Sequence, residues 1–139
     1  MITGLSHVSI AVPSLAAAAK RLQELYGLAA GEPMVNEQQG IRLAYVDLGN
    51  ARIELMEPAR PDSSISKFLE DHPGGGIHHF CLNVDEMVTT AAAIAGKGAR
   101  VLGEAGQTRN VHGELIAFVH PKDFLGALVE LEEHKTRDR

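Results

Sequence analysis

The chain has 139 residues, of which 45% are hydrophobic and 22% are charged, and this predicts one compact globular domain. A formal charge of −5 argues against a nucleic-acid binder, which would normally show a basic patch or stripe. No apolar run approaches the roughly 18 residues of a membrane span. Cys81 is the only cysteine, so an intrachain disulfide is excluded. We therefore expect a cytoplasmic protein without a membrane or nucleic-acid partner.

The chain begins with the signals of a strand followed by a helix. Residues 5–12 alternate between faces as a β-strand does. Ser14 is the predicted N-cap of a helix whose apolar residues recur at helical spacing and which Gly27 ends. Two strand-like runs follow, at 41–48 and 51–56, joined by a Gly-Asn turn. The first part of the chain therefore reads as strand, helix and further strands.

The same order of signals returns after a short linker. Residues 62–71 predict a short helix, and residues 77–84 predict a second strand. Asp85 is the predicted cap of the helix that follows, and strand-like runs lie at 114–119 and 125–131. We predict one domain over 1–139, with module one at about 1–58, the linker at about 59–76 and module two at about 77–133.

Two histidines and two glutamates occupy matching places in the modules. His79 follows His7 by 72 positions (79 − 7), and each lies near the start of its module. Glu130 follows Glu54 by 76 positions (130 − 54), and each lies in the last strand of its module between aliphatic residues. Because side chains alternate across a strand, each polar residue points away from its aliphatic neighbours. The repetition predicts that all four converge on one concave surface.

Two imidazoles and two carboxylates suit a divalent first-row metal ion. The alternative is that each residue is simply polar on the solvated face of a half-exposed strand, but the repetition favours a metal site. The four residues do not choose among zinc, cobalt, nickel, manganese and iron.

Several short segments follow one another in a specific order and spacing: residues 5–12 (LSHVSIAV), 48–58 (LGNARIELMEP), 75–79 (GGIHH), 120–123 (HPKD) and 126–131 (GALVEL). In these segments, which together span nearly the whole chain, the chain resembles the vicinal oxygen chelate superfamily, and within it the methylmalonyl-CoA epimerases.

The resemblance implies an α+β fold of two β-α-β-β-β modules, related by pseudo-twofold symmetry, that form an open, barrel-like sheet around a metal. It implies the ligands His7, Glu54, His79 and Glu130, with Glu130 also acting as the catalytic base. It also implies a homodimer that epimerises methylmalonyl-CoA at C2 through a metal-stabilised enolate. Cobalt, zinc, nickel and manganese all remain possible, and no residue is assigned to the CoA.

One position departs from the family pattern. Some epimerases carry a second catalytic glutamate where this chain has Leu43, so the second acid/base is left open. Two rival functions also remain. A glyoxalase I-type lyase uses a similar metal site, although Ala11 stands where such enzymes tend to carry an arginine. A metal-free binding protein of the bleomycin-resistance type shares the fold but would not need the four polar residues together.

Overall fold

The computed structural model describes residues 1–134, which contain eight strands, three α-helices and one 3₁₀ turn. These residues form two compact units: His7–His78 is the first unit, and residues 1–6 together with residues 79–134 are the second. None of the helices between residues 1 and 134 is long and apolar enough to cross a membrane. The α+β fold class is confirmed.

Each repeat contributes one strand, one helix and three further strands. The first repeat consists of β1 (Ile2–Ala11), α1 (Leu15–Tyr26), β2 (Met34–Asn36), β3 (Ile41–Asp47) and β4 (Arg52–Pro58). A short helix, α2 (Ser66–Asp71), follows it. The second repeat consists of β5 (Gly76–Val84), α3 (Met87–Gly96), β6 (Val101–Leu102), β7 (Ile116–Val119), a 3₁₀ turn (Pro121–Asp123) and β8 (Leu128–Glu133).

The two repeats have the same strand order. In the first, the order is β2-β3-β4-β1, with β1 parallel to β4 and the other pairs antiparallel. In the second, the order is β5-β8-β7-β6, with β5 parallel to β8 and the other pairs antiparallel. In both repeats, therefore, the strand that carries the histidine pairs directly with the strand that carries the glutamate.

The helix boundaries follow local capping chemistry. The Ser14 side chain accepts a hydrogen bond from the Ala17 amide, and Gly27 ends α1 in the left-handed conformation at φ 67°, as predicted. The prediction that Asp85 caps α3 is wrong. The helix begins one residue later, so Glu86 occupies the cap and accepts from the amides of Val88 and Thr89.

The aliphatic faces of the strands pack against the helices. In the first repeat Val46 and Leu55 pack with Leu15 at the start of α1. In the second, Val84 and Leu131 pack with Met87 and Ala91 of α3. This packing leaves the opposite strand faces for the polar residues, as the alternation predicts.

A glutamate ties the last strand of each repeat to the start of its helix. Glu57 lies three residues beyond Glu54, and its Oε2 accepts the Leu15 amide at 2.8 Å. Glu133 lies three residues beyond Glu130, and its Oε2 accepts the Met87 amide at 2.8 Å. Each carboxylate satisfies an amide of the first helical turn, which otherwise has no partner within the helix. These links fix the strand that carries the candidate ligand against its helix.

Candidate metal centre

In the first unit, β1 and β4 bring His7 and Glu54 together. His7 Nε2 lies 3.9 Å from Glu54 Oε1. The Ser9 hydroxyl donates to the same carboxylate oxygen at 2.7 Å, because Ser9 and Glu54 are direct partners across the parallel strands. The carboxylate is therefore held in one orientation beside the imidazole.

In the second unit, β5 and β8 bring His79 and Glu130 together. His79 Nε2 and Glu130 Oε1 are 2.9 Å apart, which is hydrogen-bonding distance. The register repeats that of the first unit, since Glu130 faces Cys81, two residues after His79, as Glu54 faces Ser9, two residues after His7. The predicted equivalence of the two halves therefore holds residue by residue.

The candidate ligands are buried. His7 is 1% exposed, His79 and Glu130 are each 6% exposed, and Glu54 is 7% exposed. A solvated strand face, the alternative considered for these residues, is therefore wrong. Burying a carboxylate is costly unless it is paired or coordinates a cation, and here each carboxylate lies beside an imidazole nitrogen. This donor set fits a divalent first-row ion. Their role as ligands remains a prediction.

An aromatic side chain packs edge-on against each histidine. The Tyr45 ring lies 6.1 Å from the His7 ring, and the Phe118 ring lies 5.7 Å from the His79 ring. Both aromatics are cross-strand partners of the glutamate in their unit, Tyr45 of Glu54 and Phe118 of Glu130. Each unit therefore holds one imidazole, one carboxylate and one aromatic ring next to one another.

The turn before β8 is fixed by an ion pair. The Arg100 guanidinium donates to both carboxylate oxygens of Asp123, at 2.9 and 3.2 Å, and the Arg100 amide donates at 2.8 Å. These hydrogen bonds lower the pKa of the Asp123 carboxyl from 3.8 to about 2. His120 Nδ1 also accepts the Lys122 amide at 3.0 Å. These contacts hold the 3₁₀ turn that precedes β8, the strand that carries Glu130.

Sequence reasoning missed three side chains of the first unit. Ser9 is fully buried beside Glu54, Tyr45 is half-buried, and the Arg52 guanidinium lies 4.2 Å from the centre of the Tyr45 ring. The available signal was strand alternation, because Ser9 shares a face with His7, Arg52 with Glu54, and Tyr45 with Leu43.

The chain matches a known family along most of its length. Residues 6–118 match the model of the Glyoxalase/Bleomycin resistance protein/Dioxygenase superfamily. The ethylmalonyl-CoA/methylmalonyl-CoA epimerase of Cereibacter sphaeroides is 42% identical over 133 residues, which are 96% of this chain and 99% of that protein.

Solved structures of epimerases have the same fold. A point variant of the Streptomyces coelicolor methylmalonyl-CoA epimerase, in complex with 2-nitronate-propionyl-CoA, superposes with a TM-score of 0.88 at 34% identity and covers 100% of this chain and 99% of that one. A methylmalonyl-CoA epimerase in complex with methylmalonyl-CoA and NH4+ superposes with a TM-score of 0.87 at 34% identity and covers 98% of this chain and 97% of that one. The chain therefore belongs to the glyoxalase/bleomycin resistance protein/dioxygenase superfamily and, within it, to the methylmalonyl-CoA epimerase family.

Proposed function

We propose that the protein is an isomerase that epimerises methylmalonyl-CoA at C2. The observation that carries the proposal is the matched pair of buried His–Glu contacts, one in each repeat, in a chain 42% identical to an ethylmalonyl-CoA/methylmalonyl-CoA epimerase. The bound molecules of the solved relatives, methylmalonyl-CoA and 2-nitronate-propionyl-CoA, are both acyl-CoA thioesters. A nitronate is a planar, delocalised anion like the enolate that epimerisation requires.

The chemistry needs a base and stabilisation of negative charge. A proton α to a thioester is weakly acidic, so its removal requires a positioned general base. We assign this role to Glu130, whose carboxylate is held in a defined place by His79 at 2.9 Å. Reprotonation on the opposite face of C2 then gives the other epimer.

We propose that His7, Glu54, His79 and Glu130 bind one divalent ion: cobalt, zinc, nickel or manganese. When bound, such an ion supplies positive charge against the negative charge that develops during deprotonation. Titration of metal-stripped protein should give one ion per chain. His7→Ala and His79→Ala should each abolish that single equivalent, because each removes one ligand from a shared ion. Retention of one full equivalent by either variant would contradict the shared site.

The test of function is proton exchange and epimerisation at C2 of methylmalonyl-CoA in D2O with added divalent metal. Wild-type protein should perform both reactions, and Glu130→Gln should lose at least about 100-fold in each, the usual lower bound for a general base. Glu54→Gln is the matched control. It makes the same change at the equivalent position of the first repeat but keeps a ligand oxygen, so most activity should remain.

The same assay separates the rival functions. Absence of exchange combined with turnover of a hemithioacetal would assign the protein as a glyoxalase I-type lyase. Tight binding of a small molecule with neither turnover nor metal would assign it as a binding protein. We also propose a homodimer, for which light scattering should give about twice the chain mass of 14.9 kDa.

A further inference from the structure

We propose that Ser9 is a positioning residue of the metal centre, which keeps the Glu54 carboxylate available to a divalent ion by holding it away from His7. This inference rests on the proposed function, because it concerns the affinity for the ion that we assign to His7 and Glu54. It distinguishes the two repeats: the His–Glu pair of the first is preformed for an ion, whereas the pair of the second must rearrange.

Ser9 fixes the orientation of the Glu54 carboxylate. The Ser9 side chain is fully buried, and its hydroxyl donates to Glu54 Oε1 at 2.7 Å. An ionised carboxylate only accepts hydrogen bonds, so the hydroxyl is the donor. The two residues are direct partners across β1 and β4, so strand register sets this contact. Hydrogen bonds of this kind orient the groups that bind metal ions.

The Glu54 carboxylate lies close to His7 without a hydrogen bond between them. Glu54 Oε1 is 3.9 Å from His7 Nε2, which is longer than a hydrogen bond. Two ligand atoms that each lie about 2.0–2.2 Å from one ion are at most about 4.4 Å apart. The separation therefore suits two ligands of one ion that are not bonded to each other.

The second repeat has no hydroxyl at the equivalent place, and its carboxylate lies differently. Cys81 corresponds to Ser9, because it pairs with Glu130 as Ser9 pairs with Glu54. A thiol is only a weak hydrogen-bond donor. In this repeat Glu130 Oε1 is 2.9 Å from His79 Nε2, which is hydrogen-bonding distance. The carboxylate that no hydroxyl holds is thus the one that is bonded to its histidine.

The two pairs differ in what an ion must displace. An ion that binds both atoms of the second pair breaks the hydrogen bond between His79 and Glu130, whereas the first pair has no such bond to break. Without the Ser9 hydroxyl, the Glu54 carboxylate can turn to His7 in the same way, because the strand register is the same. Loss of the hydroxyl therefore adds a hydrogen bond that competes with the ion.

The experiment is titration of metal-free protein with Co²⁺ in competition with a chromophoric chelator. Ser9→Ala should bind Co²⁺ about 10- to 100-fold more weakly than the wild-type protein, the usual effect of removing a residue that orients a metal ligand. Ser9→Cys introduces the residue that the second repeat carries and should also weaken binding. Cys81→Ala is the matched control. It makes a similar change at the equivalent place of the second repeat, where no hydroxyl is lost, and should retain wild-type affinity.

Two further measurements show whether Ser9 acts through Glu54. In a Glu54→Gln protein the effect of Ser9→Ala on affinity should be smaller, because the hydroxyl can donate to the amide oxygen or accept from the amide nitrogen and no longer selects one orientation. In a crystal structure of metal-free Ser9→Ala, the Glu54 carboxylate should lie at hydrogen-bonding distance from His7 Nε2. Thermal unfolding of each variant verifies that it is folded at the temperature of the titration.

Weaker Co²⁺ binding in Ser9→Ala and Ser9→Cys, with a smaller effect in the Glu54→Gln protein, supports the proposal. Wild-type affinity in Ser9→Ala overturns it, and so does a Glu54 carboxylate that keeps its wild-type distance from His7. An equal loss of affinity in Cys81→Ala also overturns it, because that is the result of a general loss of packing. Absence of Co²⁺ binding by the wild-type protein would refute the proposed metal centre and this inference with it.

Discussion

The hydrogen bond from Ser9 to Glu54 allows a quantitative prediction of how a single substitution changes the free energy of unfolding. Ser9 is fully buried, and its hydroxyl donates to a buried carboxylate oxygen at 2.7 Å. Hydrogen bonds to charged groups contribute about 1.5–3 kcal/mol, and a buried carboxylate that loses its donor keeps its desolvation cost. Ser9→Ala removes one oxygen atom and leaves almost no cavity. We therefore expect metal-free Ser9→Ala to unfold with a free energy lower by about 1.5–3 kcal/mol.

Urea unfolding of the metal-free protein measures this difference, with a shift in midpoint and an unchanged slope. Ser64→Ala is the matched control, because Ser64 is exposed and its substitution should stay within about 0.5 kcal/mol of wild type. When Glu54 is replaced by Leu, Ser9→Ala should lower the free energy of unfolding less than it does in the wild-type protein. The difference between the two effects, which is the coupling energy of the double-mutant cycle, should be at least about 0.5 kcal/mol. A cost for Ser9→Ala no larger than that of Ser64→Ala would refute the reasoning.

Three further predictions follow from other contacts. Asp123→Asn should lower the free energy of unfolding at neutral pH, because Arg100 lowers the pKa of the Asp123 carboxyl in the folded state. The difference in free energy from wild type should be largest above pH 3.8 and should vanish as the pH falls through about 2. Unfolding measured at a series of acidic pH values tests this, and a difference that persists unchanged to pH 2 would contradict it. Glu57→Gln and Glu133→Gln should each lower the free energy of unfolding by about 0.3–1 kcal/mol, since each removes a negative charge from a helix N-terminus. Thermal unfolding at low and high salt tests this, because a loss of stability that does not shrink with added salt would contradict an electrostatic cause. Gly75→Ala should lower the free energy of unfolding by more than about 1 kcal/mol, because Gly75 has φ 90° and a Cβ there would lie 2.7 Å from the Ala11 carbonyl oxygen. Gly74→Ala is the control: there is open space around Gly74, so this substitution should have little effect on the melting temperature.

Much of the fold was predictable because it depends on local and repeated signals. The alternation around His7 and His79, the Ser14 cap and the Gly27 stop each depend on a few neighbouring residues, and the structure confirms the elements they predict. The error at Asp85 was a local one of a single residue. Aspartate is the more favoured cap of the two adjacent acidic residues. In the structure, however, α3 begins at Met87, which is buried in the core of the second repeat, so the cap position falls to Glu86.

The candidate site was predictable for a different reason. Because the chain contains two similar repeats, one repeat can be compared with the other. A histidine and a glutamate that occur at matching positions of both repeats are therefore distinguished from polar residues that occur in only one. Burial could not be deduced in this way, because an alternating strand places its polar residues equally well in solvent or in a closed face.

The duplicated α+β plan, the four polar residues of the candidate centre and the family of the chain could all be predicted from the order and spacing of residues. The side chains that support those four residues became identifiable only in the folded protein. The Ser9–Glu54 hydrogen bond, the Tyr45 ring against His7 and the Arg52 charge over that ring depend on strand register. Register aligns residues that lie tens of positions apart in the chain, and no local pattern reports it.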